Sequence, residues 1–241
     1  MTDLPGFATA PRNVRSVDFG HVLVLLDYQT GRVQCLLPAA AAQWRETATT
    51  GRVASMAPAL ATQLIGAELL VPALTPAPWP APVTALAPVA SWGGTEHTAG
   101  TTRPGAVCSP MAMAALGTVF GIKRAGAPHT AMHRLTAVIK HTTATTRRPA
   151  TPTEAASAVN SVRRAGWYSP ARTACLEESA AAVLLLASRR LSVTWCHGVA
   201  PDPVRLHAWV QTADGAPAAE PPSTLAFTPA LTLGARHQRQ H

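Results

Sequence analysis

Two apolar runs near the start of the chain, His21–Asp27 (HVLVLLD) and Arg32–Leu37 (RVQCLL), are joined by Tyr28, Gln29, Thr30 and Gly31 and predict a β-hairpin. Pro38 follows where a first helical turn tolerates proline, so PAAAAQWRETA reads as a helix; a second helix runs from about Val53 to Gly66, and GAELLVP closes a unit near residue 72. Residues 73–104 are rich in Pro, Ala and Gly and read as a linker. Helical periodicity between Ala106 and His141 predicts two more helices. After a Thr-rich break comes TEAASAVNSVRRAG, a helix with Thr153 as its N-cap. The apolar run Ala180–Ala187 is preceded by Pro170, Thr173, Glu177 and Glu178, which places a helix start near Cys175. Val193–Val199 and Leu206–Thr212 read as strands, and Asp214 with Gly215 turns the chain back toward Glu220. The tail 235–241 reads as disordered.

This pattern puts one cysteine in a special position. Backbone N–H groups without partners and the positive end of the helix dipole face the Cys175 sulfur, favouring thiolate over thiol and offering donors to an oxyanion. His207 lies at the start of a following strand, and the hairpin return brings Glu220 level with it, where a carboxylate would hold the imidazole in the useful tautomer. Asp214, in the turn itself, is the alternative acid. Taken alone, a cysteine opening an apolar helix is usually a small buried hydrophobe. The histidine and acid downstream change that reading. Cys196, mid-strand beside Trp195, reads as core. His197 and Trp209 are candidate substrate contacts, with a structural histidine and an aromatic packed behind the imidazole as the plainer readings.

Composition narrows the partners. The 241 residues are 47% hydrophobic, enough for one or two domains with a sizeable core. The net charge of +8 suits an acidic peptide partner or simply dispersed, solvated arginine, since Lys123 and Lys140 are the only lysines. No aromatic-interleaved basic patch points to nucleic acid. Cys35, Cys108, Cys175 and Cys196 form no CxxC pair, so neither a zinc site nor a disulfide framework is indicated, and reduced thiols fit a cytoplasmic protein. No secretory signal is read at the N-terminus, and no apolar run is long enough to span a bilayer.

The segments ACLEES, TWCHGV and DPVRLHAWV, and the DG turn followed by AEPP, together resemble the B2-type leader peptidase of lasso peptide biosynthesis, a transglutaminase-like, papain-related cysteine protease. The resemblance spans roughly Ala174 to Pro222 and implies an α+β catalytic domain over residues 105–234. It implies a triad of Cys175, His207 and an acid. Many relatives carry Asp where this chain has Glu220. The hairpin and helices of residues 1–72 resemble the small winged-helix leader-recognition domain. That resemblance implies a leader peptide added as a strand along Val33, Cys35 and Leu37, against a groove walled by Leu60 and Leu64. The expected reaction is cleavage of a precursor peptide between leader and core, with no metal or organic cofactor. The expected partner is an ATP-dependent, asparagine-synthetase-like cyclase. A transglutaminase-like acyltransferase, or a leader-binding scaffold with a decayed triad, are the alternatives.

Overall fold

The computed structural model describes residues 4–85 and 109–234. The chain divides into two compact units, Met1–Ala87 and Pro88–His241. Cys108, the part of the expected linker beyond Ala85 and the tail 235–241 lie outside the described residues.

The first unit contains β1 (Phe7–Thr9), β2 (Val14–Asp18), β3 (Leu23–Asp27), β4 (Val33–Leu36), α1 (Pro38–Thr50), α2 (Pro58–Gly66), β5 (Val71–Ala73) and β6 (Val83–Thr84). The hairpin is β3 paired with β4, Leu23 opposite Leu36 and Leu26 opposite Val33. Asp27 builds its turn: the carboxylate accepts from the Gln29 N–H at 2.8 Å and from the Thr30 hydroxyl. The full sheet runs β4-β3-β2-β6, so β4 is an edge. β2 was not expected; its two apolar residues, Val14 and Val17, are buried, but with the partly exposed Arg15 and Ser16 between them they do not alternate with polar positions.

Three expectations for this unit change. The second helix begins at Pro58, because residues Val53–Ser55 form a separate 3₁₀ turn. Residues 73–85 are not linker. Trp79 is buried edge-on against Trp44 at 5.3 Å, its backbone N–H donates to the Ala48 carbonyl, and β6 pairs in parallel with β2. An aromatic pair of this kind adds about 0.5–1.5 kcal/mol beyond its buried area, which outweighs the openness expected of a proline-rich stretch. Gly51 makes room for this return: it ends α1 at φ 68°, and a Cβ there would lie 2.6 Å from the Ala77 nitrogen. Third, Leu64 is fully buried with Trp44, Ala61 and Leu70 in the core, while Leu60 is only partly buried against it. Leu64 therefore fills the interior and is not a groove wall.

The second unit is helical first and strand-rich last: α3 (Pro110–Arg124), α4 (Ala131–Ala144), β7 (Arg148–Pro149), α5 (Pro152–Trp167), α6 (Cys175–Ser188), β8 (Leu191–Ser192), β9 (Thr194–Ala200), β10 (Arg205–Gln211) and β11 (Thr228–Leu233). With helices segregated from a small antiparallel sheet, it is α+β. The cap of α5 is Thr151, not Thr153. Its Oγ1 accepts from the Glu154 N–H and the Glu154 carboxylate accepts from the Thr151 N–H, because Pro152 takes the first helical position and leaves Thr153 inside the helix.

Helix α6 is the axis of this unit. Ala180–Val183 and Leu185–Ala187 are buried on every side, as they must be in a helix enclosed by α3, α4, α5 and β10. The antiparallel sheet has the order β10-β9-β11, and β9, buried at all seven positions, is its centre. Trp195 of β9 donates its indole N–H to the Ser179 hydroxyl of α6 at 2.9 Å, which fixes the sheet against the helix in one register.

Candidate active site

The first residue of α6 is Cys175, and its side chain is half-buried. The first turn of a helix leaves its N–H groups without intrahelical partners, and here the series of backbone bonds starts only with the Glu178 N–H donating to the Ala174 carbonyl. Glu177 steadies this end: its carboxylate accepts the Ala174 N–H at 3.0 Å and pairs with Lys123 of α3. The sulfur thus sits at the positive end of the helix that the rest of the unit encloses.

His207 is the third residue of β10, opposite Gly198 of β9. Beyond Gln211 the chain turns at Asp214 and Gly215 and comes back beside β10, with the Ala218 N–H donating to the Val210 carbonyl. That return delivers Glu220, whose side chain is 3% exposed, to His207, whose Nε2–H donates to Oε2 at 3.1 Å. With Nε2 committed to the carboxylate, Nδ1 is the nitrogen left for Cys175. Burial pulls the His207 pKa down, but the hydrogen bond with Cys175, that with Glu220 and the charges of both outweigh it and raise it from 6.5 to about 9. The ring is therefore an imidazolium at neutral pH, flanked by a sulfur and a carboxylate.

The ring is also held on its faces. Trp209 stacks on it at 5.7 Å with planes 11° apart, and Phe227 lies against it at 5.1 Å. Gly198 is what lets Trp209 lie there, because a Cβ at that position would come within 2.8 Å of the indole and 2.6 Å of the Thr228 carbonyl.

The remaining candidates fall elsewhere. Trp209 is buried and acts on the imidazole, so it is not a substrate contact. His197 is buried in the central strand, stacked on Trp195, and burial, then the charge of His207, lowers its pKa to about 4. A neutral, enclosed imidazole is core, not a contact for substrate. Asp214 cannot be the triad acid: its Oδ1 accepts from the Thr212 hydroxyl and the Ala216 N–H, and these bonds, the hydroxyl first, lower its pKa within the turn it builds. Cys196 is buried with its pKa pushed up to about 12 by desolvation, and its Sγ donates to Gln211 Oε1. Val33, Cys35 and Leu37 are exposed along and just beyond β4.

Two charged residues complete the surroundings, Arg163, which sequence reading passed over, and Glu178, read only as a sign of the helix start. Arg163 of α5 reaches Glu220, and Glu178 of α6 lies beside the same guanidinium. The signal was available: Arg163 stands four residues after the buried Val159 and one after the buried Val162, on the apolar face of its helix, where a cation needs a partner. A hollow of about 330 Å³, bordered by Trp167, Arg172 and Thr173 and reaching Glu178, lies along the loop that leads into Cys175. Among the described residues no group of three or more His, Cys, Asp or Glu is placed to hold a metal ion, and no helix is long and apolar enough to cross a membrane.

One comparison with known proteins finds a family. Residues 123–232 match the model of the transglutaminase-like superfamily. That stretch runs from the end of α3 into β11 and contains Cys175, His207 and Glu220. No curated protein and no solved structure matches the chain. The sequence match and the α+β architecture together show a transglutaminase-like domain at residues 123–232, of the class that comprises cysteine peptidases and acyltransferases.

Proposed function

We propose that this chain is a cysteine endopeptidase that removes the leader from a ribosomally made precursor during lasso peptide maturation, with its first unit capturing the leader. The observation that carries the reading is the placement of His207, hydrogen-bonded to Glu220 on one side and to Cys175 on the other, at the N-terminus of α6. The Cys175 sulfur attacks the scissile carbonyl, and the helix N–H groups stabilise the oxyanion. His207 gives its proton to the departing amine of the core, leaving the leader as a thioester on Cys175. His207 then takes a proton from water, which hydrolyses the thioester and frees the leader. The freed core passes to an ATP-dependent, asparagine-synthetase-like cyclase. No metal takes part in these steps.

Leader capture rests on the edge strand β4, where Val33 and Cys35 alternate outward and Leu37, 72% exposed, continues the apolar line. An extended peptide pairing along that edge would satisfy its backbone groups and cover these side chains. Val33→Asp with Leu37→Asp is expected to weaken precursor binding about tenfold or more, from lost apolar contact of at least about 1.4 kcal/mol. Both positions are exposed, so the melting temperature should hold. Unchanged affinity by fluorescence anisotropy with a labelled precursor would dismiss the capture surface.

Mixing protein and precursor and weighing the products tests the activity. Free leader and free core are the expected species. A product heavier by a bound amine would instead mark an acyltransferase, in which an amine resolves the same thioester. Intact precursor after prolonged incubation would leave the chain a binding scaffold and overturn the peptidase reading.

A further inference from the structure

Glu220 lies on an irregular segment. Between the turn at Gly215 and the 3₁₀ turn at Pro222, the chain touches β10 through one bridge, Gln211 to Pro217, and through the Ala218 N–H on the Val210 carbonyl. Ala219, immediately before Glu220, has φ 53°, a left-handed conformation that costs a residue with a Cβ about 1 kcal/mol and persists only where the surroundings impose it. A strand ladder does not impose it here.

Arg163 does. Its Nη1 donates to the Ala219 carbonyl, so the backbone is gripped at the strained residue, and its Nη2 meets Glu220 Oε1 at 2.6 Å. Glu220 thereby divides its oxygens, Oε1 to Arg163 and Oε2 to His207, with the Thr224 hydroxyl also on Oε2 at 3.4 Å. The guanidinium also faces a second carboxylate. Its Nε lies 3.5 Å from Glu178 Oε2, three residues along α6 from Cys175, and Glu178 Oε1 accepts the Thr173 hydroxyl at 3.1 Å. Burial raises the Glu178 pKa, against the Thr173 hydrogen bond and then the neighbouring Arg163. The charges alternate from Glu178 through Arg163 and Glu220 to His207, across α6, α5 and the return segment.

We infer that Arg163 is a positioning residue that fixes the Glu220 carboxylate, through both its oxygen and the strained backbone before it, and so sets the imidazole against Cys175. The inference rests on the peptidase reading only for its catalytic consequence. A planar fork of fixed geometry suits this place, where a lysine would bring a point charge on a flexible stem and no fork to hold both acceptors in one arrangement.

The test uses the full chain with Arg163→Met and Arg163→Lys, their melting temperatures, and the titration of His207 followed by NMR. If Arg163 only contributed a nearby positive charge, removing it would move the His207 midpoint up. If it positions Glu220, the carboxylate turns away in Arg163→Met and the midpoint falls by about one unit or more, with Arg163→Lys between it and wild type. With precursor, Arg163→Met should lower kcat about 10- to 100-fold while KM changes less than about twofold, and should add little in a Glu220→Gln background. A midpoint that rises or stays, or losses that multiply with Glu220→Gln, overturns the inference. A wild type that leaves precursor intact while Arg163→Met still lowers the midpoint refutes the peptidase reading alone.

Discussion

Cys175→Ala is expected to stop leader release, with single-turnover cleavage falling at least about 10⁴-fold while precursor affinity stays within about twofold of wild type. The size follows from what is removed. Without the sulfur there is no thioester, and the uncatalysed attack of water on a peptide bond is all that remains, assisted only by the helix N–H groups. No other thiol among the described residues opens a helix. Cys196 is buried at the centre of the sheet, its Sγ donating to Gln211, with a pKa of about 12, and Cys35 is exposed on β4 in the other unit. The substitution is small, half-buried and at a helix start, so the fold should hold. Equal cleavage by wild type and Cys175→Ala would remove Cys175 from the chemistry.

Glu220→Gln should be nearly as severe, about 10⁴-fold in kcat, for a different reason. A carboxylate only accepts, so it fixes the proton on His207 Nε2 and leaves Nδ1 for the sulfur. The glutamine oxygen can still accept from Arg163, which turns the amide NH₂ toward His207. Nε2 must then accept, the proton moves to Nδ1, and the ring can no longer take a proton from Cys175. The geometry would survive and the tautomer would be wrong. Glu220→Asp should retain more activity than Glu220→Gln, because it keeps an acceptor and loses only reach. Steady-state kinetics on the three proteins would decide it, and a Glu220→Gln enzyme with wild-type kcat would show that the acid is dispensable.

Much of this site was legible in order and type. Cys175 at a helix start, His207 on a strand and Glu220 after a DG turn are local signals: a capping pattern, an alternation and a two-residue turn. What the chain did not announce were features made by packing. β11, which borders β9 opposite β10, gave no hairpin signal because its connection is a long irregular segment with a 3₁₀ turn. Trp79 looked like part of a proline-rich spacer because period and propensity do not register one aromatic finding another across a unit. His197 sits in the strand beside that of His207 and Trp209 in the same strand as His207, and only three-dimensional burial separates a core imidazole from a ring that stacks on His207. Leu64 had the same ambiguity on its helix and fell to the inner face. Arg163 was the costliest omission, since a charge on an apolar helical face names the need for a partner without naming the partner.

The claim on which the rest depends is that sulfur, imidazole and carboxylate act as one coupled unit. It needs no substrate to test. The His207 ring resonances, followed by NMR through a pH titration of wild type and Cys175→Ala, should move with a midpoint near 9 in wild type, and the Cys175→Ala midpoint should fall toward 6.5 as the sulfur's hydrogen bond and charge are lost. A midpoint at the ordinary histidine value in wild type, or one that Cys175→Ala leaves where it was, would show that His207 and Cys175 are neighbours without being partners.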